Sequence, residues 1–193
     1  MDMQKLLTKV ALITLGAIMG AVLLIFSLWI LISPQSMASL SEDLGNYSFA
    51  VTCADLKYKY SHKTEDLARC VEDSILAKKN DKIVKYGDKL LASEDFEDFC
   101  AYRDKQLSAN TEYLSEYSYR TYMLSTIALA EYRAGDLQKA VQTANRGEKE
   151  CFRKLALEVV ICGTAEDRED LLKFVDPTID GVVDLIEGIL RLK

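Results

Sequence analysis

Two prolines and nine glycines in 193 residues leave the chain poor in the residues that build tight turns. An all-β sandwich or barrel, which needs many such turns, is therefore disfavoured. A single histidine, His62, stands in the polar stretch Tyr60-Ser61-His62-Lys63, and no Cys-x-x-Cys pair occurs. The simplest zinc and redox sites thus have nothing to build on. No GxSxG, P-loop, GxGxxG or HExxH is present either. Basic residues are outnumbered by acids, 24 to 30, and the formal charge of -6 argues against a nucleic-acid partner. No catalytic residue, metal ligand or cofactor is expected, and the chain is not expected to be an enzyme.

Charge is also missing from one long stretch. Residues 10–32 contain no charged side chain, and only Thr14, Gly16, Gly20 and Ser27 interrupt the apolar run. As a helix rising 1.5 Å per residue the run spans roughly 34 Å, against a hydrocarbon core of ~30 Å. Ser36 and Ala38 place small residues where a signal peptidase would accept them, but the run exceeds the ~7–15 residues of a cleavable signal. An uncleaved transmembrane helix at 10–32 is expected, with a cytoplasmic tail at 1–9 and one domain at 33–193. Lys5 and Lys9 precede the run, whereas the first charges after it are Glu42 and Asp43. The positive-inside tendency then keeps the amino terminus in the cytoplasm and places the domain outside it, at the cell membrane. Gly16 and Gly20 form a GxxxG that could pack two such helices closely and so make a homodimer.

Cysteine is present in an odd number. Cys53, Cys70, Cys100, Cys151 and Cys162 could form bridges in an oxidising compartment, yet each falls among apolar residues where a small hydrophobe packs well. Buried free thiols are the simpler expectation.

Beyond the anchor the chain reads as helix almost throughout, with apolar residues recurring at three and four. Pro34 is placed to open a first helix that Gly45-Asn46 closes, and 47–59 forms the next. Thr64 is expected to cap a helix running to about Lys78. Ser93 is expected to cap one carrying Phe96, Phe99, Cys100 and Leu107. Longer helices should cover about 111–134, 137–146 and 149–161, with another starting at Thr164. A last helix, 178–192, follows Asp176-Pro177 with Ile179, Val182, Val183, Ile186, Ile189 and Leu190 on one face. The acid pairs Glu94-Asp95, Glu97-Asp98, Glu166-Asp167 and Glu169-Asp170 read as solvated first-turn acids rather than calcium ligands.

Three turns look alike. Leu44-Gly45-Asn46-Tyr47 with Ala50, Lys78-Lys79-Asn80-Asp81 with Val84, and Ala134-Gly135-Asp136-Leu137 with Ala140 each join a turn residue to a small or β-branched one. Gly45 and Lys79 are 34 residues apart. This pattern resembles the tetratricopeptide repeat, in which paired helices meet at a Gly-Asp/Asn-aromatic turn and a small residue lets the second nestle on the first. The turns near 45, 79 and 135 carry the likeness over about 34–147. Lys79 stands in the glycine place of the middle copy, and about 22 residues around Phe96–Leu107 are inserted before the third. The fold class so implied is all-α: a transmembrane helix, then an antiparallel helix-pair solenoid with a C-terminal capping helix.

The same resemblance implies a concave, peptide-binding side lined by first helices. Register places Tyr122, Ser125, Leu129, Tyr132 and Arg133 there from the third copy, and Asp66, Arg69 and Asp73 from the second. The tyrosines Tyr113, Tyr117, Tyr119, Tyr122 and Tyr132 could present contact area to a partner or pack between helices. The expected function is a membrane-anchored interaction module, an adaptor or scaffold for a protein or peptide partner. The alternative is a structural accessory subunit of a larger membrane complex.

Overall fold

The structure, a computed structural model, describes residues 3–109 and 117–174. Among the described residues there are ten helices and no strand. They are α1 (Met3–Ile32), α2 (Pro34–Asp43), α3 (Tyr47–Ser61), α4 (Thr64–Leu76) and α5 (Asn80–Leu91). After these come α6 (Phe96–Ala109), α7 (Tyr119–Arg133), α8 (Leu137–Asn145), α9 (Lys149–Cys162) and α10 (Ala165–Phe174). The expected helix at 178–192 and Tyr113 lie outside the described residues.

Helix α1 contains a 26-residue segment, Leu7–Ile32, that is long and apolar enough to cross a membrane. Two of its hydroxyls are satisfied within it: Thr14 donates to the Val10 carbonyl at 2.9 Å and Ser27 to Leu23 at 2.8 Å. Ser33 ends the helix and Pro34 begins α2 at a first-turn position, where its missing N–H costs nothing. Only Ser33 separates α1 from α2. Phe26 stacks on Phe49 with ring centroids 6.2 Å apart, and Ile30 and Phe49 pack on a small cluster of Met37, Ala38 and Cys53. The corner between α2 and α3 therefore leans against the last turns of α1.

The three similar turns share one backbone geometry. In each, one residue is left-handed: Gly45 at φ 71°, Lys78 at 55° and Gly135 at 92°. In each, the next N–H reaches back five residues to a helix carbonyl: Asn46 to Ser41 at 2.7 Å, Lys79 to Ser74 at 3.0 Å and Asp136 to Glu131 at 3.1 Å. These are Schellman closures. The middle turn corrects the expected register by one position, because Lys78 and not Lys79 takes the glycine place. Ile83 rather than Val84 then corresponds to Ala50 and Ala140, and all three are buried. Asn46 and Asp136 cap the following helices, accepting from the N–H of Phe49 at 3.3 Å and of Lys139 at 3.0 Å. Lys79 has no such side-chain bond.

Neighbouring helices pack in sequence from α2 to α5, and α5 then packs on α7 rather than on α6. Gly87 permits this approach: a Cβ there would stand 2.9 Å from both branches of the Ile127 side chain. Helix α6, the insertion expected around 96–107, lies against α4 and α7. One core joins α3 through α7 around Val71, Leu90, Met123 and Ile127; a second joins α7 through α10 around Leu124, Phe152, Leu155 and Leu171. Helix α7 serves both cores, which explains why its buried residues lie on nearly every side.

Several local expectations change. Thr64 is the first residue of α4 rather than its cap, and its hydroxyl is buried against Ser93 at 2.7 Å and against Asp95. Ser93 likewise spends its hydroxyl on Thr64 and Asp95, so these three residues tie the start of α4 to the α5–α6 joint. Helix α7 starts at Tyr119, capped by Ser118, whose hydroxyl accepts from the Thr121 N–H at 3.2 Å. Thr164 and Asp167 cap α10 reciprocally, at 3.1 and 2.8 Å. Cys53, Cys70, Cys100 and Cys151 are buried free thiols, as the apolar spacing suggested, whereas Cys162 is free but exposed at the end of α9.

Candidate functional site

A groove of about 980 Å³ is walled by α2, α4, α6 and the start of α7. Its floor follows from the helix period: Asp66, Arg69 and Asp73, at spacings of three and four, share a face of α4, and Glu65, Glu72 and Leu76 border it. Tyr119 and Tyr122 enter from the first turn of α7, and Phe99, Arg103 and Leu107 from α6. The two tyrosines are tilted with ring centroids 6.3 Å apart, and the exposed Tyr122 offers an apolar ring at the groove's edge.

Arg69 is committed to α2. Its Nε and Nη2 donate to Glu42 Oε1 at 3.2 and 2.5 Å, and Nη2 also reaches Ser39 Oγ at 2.9 Å. Arg103 plays a matching role on the far wall, with Nη2 3.4 Å from Glu72 Oε1 and its guanidinium 5.4 Å above the Tyr119 ring. The Tyr119 hydroxyl donates to the same Glu72 oxygen at 2.9 Å, and its backbone N–H donates to Asp104 at 2.6 Å. Burial and the Glu72 carboxylate push the Tyr119 phenol well up, so it remains a donor.

Asp73 differs from the other acids. Its side chain is 3 % exposed, Oδ2 pairs with Arg69 Nε at 4.0 Å, and the carboxyl also meets that of Glu42 in a hydrogen bond. Burial and the nearby Glu42 carboxylate raise it to about 7, although Arg69 acts in the opposite direction. Six carboxylates line the groove (Glu42, Glu65, Asp66, Glu72, Asp73 and Asp104) against the cations of Arg69, Arg103 and Lys105. Among the described residues no cluster of His, Cys, Asp and Glu has the geometry to hold a metal ion.

The residues chosen by register divide into two places. Arg69 and Tyr122 meet in the groove with Asp66 and Asp73. Ser125 is buried and its hydroxyl donates to the Tyr122 carbonyl at 3.0 Å. Leu129 and Tyr132 pack on the second core, with the Tyr132 hydroxyl 3.4 Å from Asp167. Arg133 is paired with Glu158 of α9, Nη2 to Oε1 at 2.8 Å. The last four thus lie outside the groove, because α9 and α10 cover the C-terminal half of α7. Glu42, Glu72, Arg103 and Tyr119 complete the site. Only Glu72 had a local signal, three residues from Arg69 on one helix; the others arrive across 27 to 47 residues of chain. Gly16 and Gly20 lie four residues apart on α1, away from the contacts that α2 and α3 make with its last turns.

No family model matches the chain, and neither a curated protein nor a solved structure is significantly similar to it. Class and role therefore rest on the geometry described above.

Proposed function

We propose that the chain is a single-pass membrane protein whose helical domain is an interaction module, holding a protein or peptide partner outside the cytoplasm. The observation that carries this reading is the groove: a concavity large enough for several side chains, edged by Tyr122 and formed on a domain whose first helix is separated from α1 by Ser33 alone. Three Schellman turns of one geometry and the packing of successive neighbours support a divergent helix-pair array of the tetratricopeptide kind.

A second reading, an accessory subunit within a larger membrane complex, is favoured by the small-residue pair Gly16 and Gly20 on α1. One preparation separates them. Intact cells are first treated with a membrane-impermeant maleimide, which should label Cys162, the exposed thiol, and should fail on a Cys162→Ser chain. Labelling only after lysis contradicts an extracytoplasmic domain. The labelled chain is then purified in mild detergent. A monomer or dimer fits the module, and a stoichiometric complex that survives purification fits the subunit.

A further inference from the structure

We propose that residues 178–192 fold back onto the outer face of α9 and cover its exposed row of Leu157 and Ile161, closing the helical array beyond α10. This closure is independent of the groove and of the interaction-module reading.

The row follows from how the later helices stack. They meet at every second place in the chain, α5 packing on α7 and α7 on α9. Helix α7, with a neighbour before and after it in this series, is buried on nearly every side. Helix α9 has the earlier neighbour and, among the described residues, not the later one. Its Cys151, Phe152, Leu155, Ala156, Val159 and Val160 are buried in the second core, while Leu157 is 47 % and Ile161 67 % exposed. These two lie one turn apart and form a row along the helix. The next member of the stack would cover that row.

The chain that comes next fits the place by reach, pattern and charge. Helix α10 ends at Phe174, and residues 175–177 separate it from Thr178. Four steps of chain reach at most about 14 Å, little more than one interhelical distance of roughly 10 Å. The segment therefore starts beside α10, which itself packs on α8 and α9. On helical spacing Ile179, Val182, Val183, Ile186, Ile189 and Leu190 share one face, and Asp180, Asp184, Glu187 and Arg191 share the opposite one. Such an apolar face needs cover in water. The bilayer surface suits it poorly, because helices that lie there carry Lys and Arg on the polar face, and this one carries three acids to one Arg. A second copy competes at a disadvantage, since the short connection holds the segment beside its own α9 at an effective concentration on the order of millimolar.

The test uses the full chain in detergent micelles, with a photoreactive residue replacing Leu157 or Ile161, one at a time. Isotopically light and heavy chains are mixed in equal amounts before irradiation and digestion. Both positions should link to a peptide from residues 178–192 of the same isotope. Val183→Asp with Ile186→Asp, which puts two charges on the apolar face, should lower the yield by roughly tenfold or more. Asp184→Asn, on the opposite face, should leave it unchanged. Links that join light to heavy chains assign the row to a second copy and overturn the proposal. Links to detergent or solvent alone, links to another part of the chain, or a yield that the double replacement leaves intact also overturn it.

Discussion

Single residues carry much of the domain's unspent stability. Lys78 is left-handed at a position where the equivalent turns use glycine, and its Cβ is the source of the strain. Replacing it should relieve about 1 kcal/mol. Lys78→Gly is therefore expected to raise the denaturation midpoint in urea without changing the slope of the transition. Asp73 stores strain of another kind. Its folded pKa, about 7, lies above the unfolded value, so the native state binds the extra proton between about pH 4 and pH 7. Its contribution to stability is favourable below that window and is lost as pH rises through it. Asp73→Asn should consequently gain stability relative to the native chain on going from pH 5 to pH 8. Parallel chemical denaturation at the two values checks the sign; a mutant-minus-native stability difference that falls as pH rises would contradict it.

At the scale of elements, most helices were legible because their boundaries are written locally. Pro34, Asn46, Asp136 and Thr164 all act at helix starts, and each is a short-range signal of known chemistry. Thr64 and Ser93 misled because they bond to one another across 29 residues, and such a tertiary pairing leaves no local trace. The middle turn slipped by one position because a lysine occupies the left-handed site, where glycine would have fixed the register. Contacts between elements were less visible still. Gly87 gives no pattern of its own, yet it sets the distance between α5 and α7. Alanine there would gain about 1 kcal/mol of helix propensity and lose about 1–3 kcal/mol by crowding Ile127. Gly87→Ala is expected to be net destabilising in the native background and stabilising in an Ile127→Ala chain. A double-mutant cycle of unfolding free energies measures that reversal.

Across the whole molecule, α1 is continuous with the domain and packs on it through Phe26 and Ile30. The apolar segment of α1 is 26 residues long, or roughly 39 Å, about six residues more than a ~30 Å core requires. The Phe26–Phe49 stack lies six residues before the end of the segment, so the start of α3 packs on the last turns of α1. The candidate site was half legible for the same reason that the fold was. Asp66, Arg69, Asp73 and Tyr122 could be placed by helical period, whereas Glu42 and Arg103 come from helices whose packing the period does not encode. Ser125, Leu129, Tyr132 and Arg133 share a helix with Tyr122 but are covered by α9 and α10. The most direct measurement is photo-crosslinking in intact cells from two exposed leucines, Leu76 in the groove and Leu157 on α9, each replaced by a photoreactive residue. The account predicts a discrete partner adduct from position 76 and none from position 157. No adduct from position 76, or the same products from both, would contradict it.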